Sequence, residues 1–334
     1  MLTTRQPYDE SVFGRNAKRT IPRRRAEHEH KCGGWGSGSA LHTFLRNWLL
    51  GVVWLPLFGA SVLAGASRIV VVGVDGLTPS AISEANAPHI HTLMKKGAWT
   101  MHARAVIPTN SSPNWASMVM GAEPAQHGIV SNDWQLDKHE ITPACSGPDG
   151  RFPTIFLLLR QQNPDCRIGI FHHWEGYGRL VETGIPSRME HHMTAESTIK
   201  AALAYWTSNK PTLLFVHLDN VDGAGHTHGW KSPEYMQAVR KADELIGRVA
   251  KAISGDGTTL LITADHGGIG IKHGGVTMSE LEIPWILVGD GVRQNYELKV
   301  PVDTYDTAAT IARMLSIRPH PCWIARPVVE ALVQ

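Results

Sequence analysis

The sequence lacks a strong excess of charge of either sign. Its 32 lysines and arginines stand against 30 aspartates and glutamates, which gives a formal net charge of +2. Much of the basic character lies in the first 46 residues, and the charges beyond them nearly balance. This balance gives no reason to expect nucleic acid or an acidic partner, so we predict no nucleic-acid-binding patch.

Cysteine is also scarce. Of the 4 cysteines, Cys145, Cys166 and Cys322 lie beyond the N-terminal region, an odd number without the paired spacing of a metal site. In an oxidising compartment two of them can form a disulfide, and the sequence does not specify which two. The chain also lacks an internal repeat, a Walker phosphate loop and a dinucleotide-binding glycine motif, so none of these competes as an interpretation.

One long apolar run is present near the N-terminus. Residues 48–66 carry no charge, follow Arg46 and end on the small residues Ala64 to Ala66, a pattern that suits signal peptidase. We interpret residues 1–66 as a basic leader with an export signal, which predicts a periplasmic or extracellular protein. A membrane tether through 48–66 is one alternative, because a run of this length can span a bilayer. A misassigned start is another.

Residues 67–334 alternate between strand-like and helix-like segments, which predicts one α/β catalytic domain with a mostly parallel sheet. The strand-like segments are 68–77, 167–171, 212–217, 258–263 and 283–289. The helix-like segments are 88–97, 113–121, 152–162, 195–209, 233–255 and 302–315.

Possible metal ligands follow three of the predicted strands. They are Asp75, Asp222, His226, Asp265, His266 and His273. In open α/β sheets, ligands bind at the edge where the carboxyl ends of the parallel strands meet. Carboxylates and histidines delivered to one edge therefore predict a metal site there rather than a set of solvated loop residues.

Other polar residues accompany these candidates. Gly223 and Gly225 let the backbone near Asp222 fold tightly around an ion. Three further candidates are interpreted as supporting or structural residues: His217, Asp219 and His228. His172 and His173 either line a substrate pocket or have packing or surface roles, and the packing or surface roles are the preferred interpretation.

A pair of serines lies at a predicted helix N-terminus. Pro113 suits the first turn of a helix that ends at Gly121, so Ser111 and Ser112 lie where free amides and the helix dipole favour an alkoxide and a phosphoryl oxygen. The alternative is that one serine is only the helix N-cap. Six nitrogen and oxygen ligands suit two ions with three ligands each, and two ions beside a hydroxyl suit phosphoryl transfer.

Six short motifs occur in order along the chain, and their combination is far more specific than any one of them. They are VDG at 74–76, PTNSSPN at 108–114, HGI at 127–129, DGAGH at 222–226, ADHGG at 264–268 and HGG at 273–275. From residue 68 to the C-terminus the sequence resembles the alkaline phosphatase superfamily. Within it, the pattern is most similar to the type I phosphodiesterase and nucleotide pyrophosphatase family.

The resemblance implies a three-layer α/β sandwich, with a mostly parallel central sheet flanked by helices, and two zinc ions. One ion would be held by Asp75, Ser111, Asp265 and His266, and the other by Asp222, His226 and His273. Ser111 stands where the family has its threonine nucleophile, which implies hydrolysis of a phosphodiester or pyrophosphate through a serine phospho-enzyme. Asn114 stands for the asparagine that donates a hydrogen bond to a phosphoryl oxygen.

Two departures from the family pattern leave the substrate open. The nucleophile is a serine, as in alkaline phosphatases, and Asn110 stands where nucleotide-cleaving members commonly have lysine. No basic residue near Ser111 marks a site for a doubly charged monoester, so a small phosphodiester such as a nucleotide is the preferred substrate. A phosphomonoesterase or phosphonate hydrolase is the alternative, and an inactive metal-binding protein is a third. The cysteine motif of sulfatases is absent.

Overall fold

The computed structural model describes residues 68–138, 140–255 and 257–333. The leader and the export or anchor segment predicted at residues 1–66 therefore lie outside the described residues. Among the helices of the described ranges, none has both the length and the apolar character that crossing a bilayer requires.

A mixed sheet of eight strands forms the centre of the fold. The strands are β1 Arg68–Val74, β2 Ala98–Arg104, β3 Ile168–His172, β4 Arg188–His191, β5 Leu213–Leu218, β6 Thr258–Thr263, β7 Glu282–Val288 and β8 Tyr296–Glu297. Their order across the sheet is β4-β3-β5-β1-β6-β7-β2-β8. Strand β7 runs antiparallel to its neighbours β6 and β2, and the other pairs are parallel.

Helices cover the sheet. They are α1 Pro79–Glu84, α2 Pro88–Lys96, α3 Ser111–Met120, α4 Pro124–His127, α5 Ile155–Gln162, α6 Ala195–Asn209, α7 Asn220–His228, α8 Pro233–Ala252, α9 Met278–Leu281 and α10 Asp306–Met314, with 3-10 helices at Glu175–Leu180 and Val329–Ala331. Helices α1, α2, α6 and α7 contact α8, whereas α3, α5 and α10 contact one another. The predicted α/β sandwich with a mostly parallel sheet is thus confirmed.

Strand β1 lies in the middle of the sheet because its side chains are apolar on both faces. Its residues Ile69 to Val72 are fully buried, as expected for a parallel strand covered by helices on both sides. Gly73 is required for close packing, since a Cβ there would lie 2.4 Å from the indole of Trp115. The missing side chain lets Trp115 of α3 lie against β1, and this contact brings the α3 N-terminus to the edge of the sheet.

Strand β2 and the start of the last helix differ from the sequence prediction. Strand β2 was not predicted, because its buried and part-exposed residues alternate and give no continuous apolar run. The helix predicted at 302–315 begins only at Asp306. The residues before it extend the sheet instead, because the Arg104 amide donates to the Val302 carbonyl and the Thr304 amide donates to the Arg104 carbonyl.

A disulfide joins Cys145 to Cys322, with their Cα atoms 6.4 Å apart. It connects the loop after α4 with the segment after α10. Cys166 is the free cysteine of the described chain, and it is buried. The sequence did not specify which two cysteines form a disulfide, and the structure shows that they are Cys145 and Cys322.

Candidate metal centre

The six predicted ligands meet at the carboxyl edge of the sheet. In the parallel register, Gly73 of β1 pairs with His217 of β5 and with Thr263 of β6, so the three strands end level with one another. The Asp75 amide extends this pairing by donating to the Leu218 carbonyl at 2.8 Å. Asp75, Asp265 and His266 are consequently brought together directly beyond the strand ends.

The first set of donors comprises Asp75, Asp265 and His266, whose ligand atoms all lie within 4.8 Å of one another. His266 Nε2 lies 3.3 Å from Asp75 Oδ1 and 3.2 Å from Asp265 Oδ2. Ser111 Oγ lies 3.2 Å from the same nitrogen. Donors about 2.0–2.1 Å from a tetrahedral zinc lie about 3.3 Å apart, so this spacing suits a shared ion.

The second set comprises Asp222, His226 and His273. Asp222 and His226 lie one turn apart in α7, with Oδ2 and Nε2 at 3.3 Å, and His273 Nε2 lies 3.7 Å from Asp222 Oδ1. The two sets are adjacent, because the rings of His266 and His273 stack with their centroids 3.8 Å apart.

The chain around Asp222 is a regular helix rather than the tight loop predicted from its glycines. Gly225 makes room for the indole of Trp230, which a Cβ at that position would approach to 2.7 Å. A Cβ at Gly223 would have no atom within 4 Å. Neither glycine is needed to bend the backbone around an ion.

All three histidines of the two sets are oriented in the same way. In each ring, Nδ1 lies close to a backbone carbonyl oxygen. For His266 this is the carbonyl of Gly267 at 2.8 Å, and for His273 it is that of Thr109 at 2.8 Å. For His226 it is the carbonyl of Ile271 at 2.9 Å. Because a carbonyl can only accept, Nδ1 carries the hydrogen in each ring. The Nε2 lone pairs are therefore free to bind a metal ion, as histidine ligands commonly do.

The carboxylates show the same division between a held oxygen and a free one. Asp75 Oδ2 accepts from Trp115 Nε1 at 2.9 Å and lies 3.2 Å from His217 Nε2, while Asp265 Oδ1 accepts from the Gly76 amide at 3.2 Å. The opposite oxygens, Asp75 Oδ1 and Asp265 Oδ2, are buried without a hydrogen-bond partner, as is Asp222 Oδ1. Buried, unpaired carboxylate oxygens are costly, and a bound cation would compensate them.

Crowding of the carboxylates is reflected in their pKa values. Burial, followed by the charges of Asp75 and Asp219, raises the pKa of Asp222 to about 9. Burial and the charges of Asp75 and Asp222 raise the pKa of Asp265 well above its usual range. Burial also acts to raise the pKa of Asp75, but the His217 hydrogen bond and the charge of His266 outweigh it, so this pKa is lowered.

His266 of the first set and His273 of the second set are held neutral. Burial lowers the pKa of His266 to about 4 and also lowers the pKa of His273. Neutral imidazoles and closely spaced carboxylates are the donor set that Zn²⁺ and similar divalent ions bind. The residues at this edge thus fit divalent metal ions.

Ser111 lies at the first position of α3, beside the first set. It is 5% exposed, and the side chain of Asn110, the residue before the helix, makes no capping hydrogen bond. The amide of Ser112 donates to Asn132 Oδ1 at 2.8 Å. The α3 N-terminus therefore brings a hydroxyl and oriented backbone dipoles to the donor atoms.

Asn114 does not lie where the sequence interpretation put it. Its Oδ1 accepts from the Val106 amide at 2.7 Å, and its Nδ2 donates to the carbonyls of Val106, Pro108 and Asn110. The side chain is fully buried, and its amide hydrogens are occupied by the loop before α3. The predicted hydrogen bond from Asn114 to a phosphoryl oxygen is thus incompatible with this structure, and Asn114 holds the loop instead.

Asn132 is a residue that the sequence interpretation missed. Its Oδ1 accepts from Ser112, its carbonyl accepts from Arg179 Nη2 at 2.8 Å, and its Nδ2 donates to no described residue. It follows the HGI motif by three residues, but only the fold shows that the loop after α4 returns to the α3 N-terminus. Arg179, 47 residues further along the chain, brings a positive charge next to this asparagine.

The remaining candidates support the centre. His217 contacts Asp75, and Asp219 lies with both of them in a further group of possible ligands. His173 accepts from the Asp219 amide at 3.1 Å. His172 stacks beside Tyr177 and His191, in a packing role, and His228 is exposed at the end of α7.

The mixed sheet and the donor sets at its carboxyl edge define an alkaline-phosphatase-like α/β protein with a carboxylate-and-histidine centre. A sequence model described as type I phosphodiesterase / nucleotide pyrophosphatase matches residues 69–301. The chain belongs to this family, so the resemblance noted from the motifs is confirmed.

Related proteins agree with this assignment. The bis(5'-adenosyl)-triphosphatase ENPP4 of Pongo abelii is 25% identical over 213 residues, covering 60% of this chain and 47% of that protein. Human ectonucleotide pyrophosphatase/phosphodiesterase family member 7 is 23% identical over 239 residues, covering 65% and 52%. The chain spans about half the length of these curated relatives.

Solved structures show the same fold. Murine ectonucleotide pyrophosphatase / phosphodiesterase 5 superposes with a TM-score of 0.67 at 16% identity, covering 80% of this chain and 100% of that one. A 2-O GAG sulfatase superposes with a TM-score of 0.64 at 14% identity, covering 80% and 74%. Both likenesses concern the fold alone.

Proposed function

We propose that this protein is a two-zinc hydrolase of phosphodiester or pyrophosphate bonds, with Ser111 as its nucleophile. The observation that carries the proposal is the position of Ser111 Oγ, 3.2 Å from His266 Nε2 beside buried carboxylate oxygens that have no other partner. Membership of the phosphodiesterase and nucleotide pyrophosphatase family supports the same reaction.

When bound, two divalent ions would lower the pKa of a hydroxyl and offset negative charge on the phosphoryl group. Ser111 Oγ forms the bond to phosphorus as the bond to the leaving oxygen breaks, which gives a phosphoserine. Water then attacks this phosphoserine, restores the hydroxyl and releases the phosphate product. Asn132 Nδ2 donates a hydrogen bond to a phosphoryl oxygen, because the Ser112 amide holds the Asn132 side chain beside Ser111.

We propose a nucleotide or a similar small phosphoester as the substrate class. One structure of murine family member 5 is an inactive variant in complex with AMP, which supports nucleotides for this fold. The Arg179 charge beside Asn132 also suits a second anionic group, as a pyrophosphate carries. A phosphomonoesterase is the competing assignment, since the nucleophile is a serine.

Replacement of Ser111 by alanine tests the nucleophile, and Ser112→Ala is the matched control. Both serines are buried and adjacent, but only Ser111 Oγ contacts the donor atoms. We expect S111A to lose roughly a thousandfold or more of its turnover of an aryl phosphodiester, with metal content unchanged, and S112A to stay near the parent rate. Full turnover by metal-loaded S111A would rule out Ser111.

Paired aryl monoester and diester substrates separate the two assignments. We expect kcat/KM to be higher for the diester, because the Ser111 hydroxyl contacts His266 and no lysine or arginine of the described chain, and Arg179 donates to the Asn132 carbonyl instead. A strong preference for the monoester would instead favour a phosphomonoesterase.

We also propose that residues 1–66 direct export and that residues 67–334 form the catalytic domain. The apolar run that ends on Ala64 to Ala66 supports cleavage after export. N-terminal sequencing of the protein from the producing cells tests this. A mature chain that begins near residue 67 agrees with cleavage, whereas an uncleaved chain in the membrane fraction would indicate a tether.

A further inference from the structure

A groove lies along the β4 side of the sheet. It has a volume of about 800 Å³ and is bounded by β3, β4 and α6, and small-molecule sites commonly have this size. Strand β4 is the edge of the sheet and lies three strands from β1, or about 14 Å at the usual spacing of neighbouring strands. Neither metal-donor set contributes a residue to the groove. The groove is therefore separate from the metal centre.

Small residues leave this space between α6 and the strands. On α6, Ala201, Ala204 and Ser208 line the groove at a spacing of about one helical turn. On β3, Gly169 has no side chain, and a Cβ there would lie 2.8 Å from the Tyr205 ring. The Tyr205 ring therefore packs onto the strand and forms part of the groove wall.

One end of the groove is aromatic. Phe171 and Tyr205 line it, with their ring centroids 5.6 Å apart. Phe171 is buried, whereas Tyr205 is part-exposed. The Tyr205 ring thus offers a planar, largely apolar surface on which the ring of a ligand can pack.

The other end of the groove is basic. Arg160 donates to three backbone carbonyls and to the Ser187 hydroxyl. Arg167 donates from Nη1 to the Asn209 carbonyl at 3.0 Å. Within the described residues, the hydrogen-bond partners of both guanidinium groups are uncharged. Arg160 consequently supplies a positive charge to this end, and Arg167 supplies a charge together with free N–H groups.

The Ser187 hydroxyl can donate to a ligand at this basic end. Its Oγ accepts from the Ile168 amide at 3.1 Å and from Arg160 Nη2 at 2.9 Å. Both lone pairs of the oxygen are used, and the hydroxyl hydrogen has no acceptor in the described part of the chain. The bond from the guanidinium polarises the hydroxyl and strengthens it as a donor. An anion beside Ser187 would receive this hydrogen bond.

The charge of the whole groove also favours an anion. Three arginines and two carboxylates line it. Arg188 forms an ion pair with Glu190, so these two charges balance. The second carboxylate, Asp165, stands against the charges of both Arg160 and Arg167. One positive charge therefore remains for a ligand to neutralise.

The aromatic and basic ends are about one turn of α6 apart. Asn209, whose carbonyl holds Arg167, follows Tyr205 by four residues, or about 6 Å along the helix axis. A ligand that fits both ends has a planar ring and an anionic group joined by a short polar linker. A nucleoside monophosphate has this arrangement, with ribose as the linker.

We propose that the groove is a second, non-catalytic binding site for a nucleoside monophosphate. The base packs against Tyr205, and the phosphate lies between Arg167 and the Ser187 hydroxyl. Because no residue of the metal centre takes part, this site does not depend on the proposed hydrolysis.

Titration of AMP into metal-loaded protein labelled with 3-fluorotyrosine tests the proposal. The chain has 6 tyrosines, and Tyr205→Phe assigns the fluorine NMR signal of Tyr205. We expect this signal to shift saturably with AMP, in the parent and in S111A alike. Arg167→Ala should weaken the affinity about tenfold or more, because a charged hydrogen bond to phosphate is lost. Arg313→Ala is the control, because Arg313 is exposed on α10 and does not line the groove.

Orthophosphate alone and adenosine alone serve as the two halves of the ligand. We expect each to shift the Tyr205 signal only at concentrations at least tenfold higher than AMP requires. Orthophosphate that binds as tightly as AMP would indicate a simple anion site and overturn the proposal. An unmoved Tyr205 signal at saturating AMP would also overturn it, as would equal affinity in R167A and the parent. Saturable binding in a protein that hydrolyses no phosphoester would remove the proposed reaction but keep this site.

Discussion

His266, His273 and His226 each use one ring nitrogen to hold the backbone and leave the other for the centre. The carbonyls that fix them belong to Gly267, Thr109 and Ile271. These hydrogen bonds set the tautomer and the direction of each ring before any ligand binds. The rings therefore lose little conformational freedom on binding a metal ion, which raises affinity.

His217 performs a similar task for Asp75. It is fully buried, its Nε2 lies 3.2 Å from Asp75 Oδ2, and its Nδ1 accepts from the Trp174 amide at 3.4 Å. Because Nδ1 accepts, Nε2 carries the hydrogen and donates it to the carboxylate. His217 thus holds one oxygen of Asp75 while the other faces the donor set.

Replacement of His217 by phenylalanine removes this donor. We expect about a 10- to 100-fold weaker affinity for zinc, with most of the turnover recovered at saturating zinc. His217→Gln keeps a donor and should lie within a few-fold of the parent. His172→Gln is the control, since His172 is also buried but its polar contact is with the Trp174 carbonyl. Equal zinc affinity in H217F and the parent protein would contradict the positioning role.

Two asparagines near α3 are expected to respond in opposite ways. Asn132→Ala should lower kcat for the diester about 100-fold or more and change the free energy of unfolding little, because Asn132 has a free donor next to Ser112. Asn114→Ala should lower the free energy of unfolding by about 3 kcal/mol, because it leaves buried backbone groups unpaired. Paired kinetics and urea unfolding measure both, and catalytic loss without destabilisation in N114A would reverse the assignment.

The sequence predicted the convergence of six donors because each follows a strand, and strand ends meet by the geometry of a parallel sheet. It could not distinguish Asn114 from Asn132. Both lie in the stretch around the serines, and the choice depends on a loop that returns from α4 to the α3 N-terminus. Contacts between segments joined by irregular backbone are set by tertiary packing, which leaves no periodic signal.

Helices α3 and α4 are joined through a buried histidine. His127 Nδ1 accepts from the Ile129 amide at 3.1 Å, and Nε2 lies 2.9 Å from Ser117 Oγ. The ring is 2% exposed, and burial lowers the pKa of His127 to about 3. The link thus depends on a neutral imidazole that donates to Ser117 of α3.

Acid should therefore weaken this link. The pKa of His127 in the unfolded chain is about 6.5, so between that pH and about 3 the unfolded chain binds a proton that the folded chain does not. Stability then falls as the pH falls through this window. The free energy of unfolding of the metal-free protein is measured in urea near pH 7 and near pH 4.5. Its fall between the two pH values should be roughly 2 kcal/mol smaller in His127→Gln than in the parent. Parallel losses in both proteins would contradict this.

At the level of α7, the sequence prediction was wrong. Gly223 and Gly225 indicated a tight fold of the backbone, but the nine residues of α7 form a helix that puts Asp222 and His226 on one face. Packing of Gly225 against Trp230 stabilises the helix despite the low helix propensity of glycine. The secondary structure of this segment is therefore determined by tertiary packing rather than by local propensity.

The whole molecule follows the predicted alternation of strands and helices, since long buried strands and the amphipathic α8 carry strong periodic signals. What the sequence did not predict is concentrated at the margins of the sheet. Strands β2 and β4 have mixed patterns, and β7 reverses direction where the chain crosses from β6. The central parallel strands were predictable, and they are also the strands that deliver the donors to one edge.

The most direct test of the account follows metal content and turnover in one sample. Metal-stripped full-length protein is titrated with zinc while bound zinc and hydrolysis of an aryl phosphodiester are both measured. The two donor sets predict two bound ions per chain and full turnover only when both are filled, with loss on chelation and recovery on adding zinc. Full turnover by the metal-free protein, or no turnover of any phosphoester with both ions bound, would contradict it.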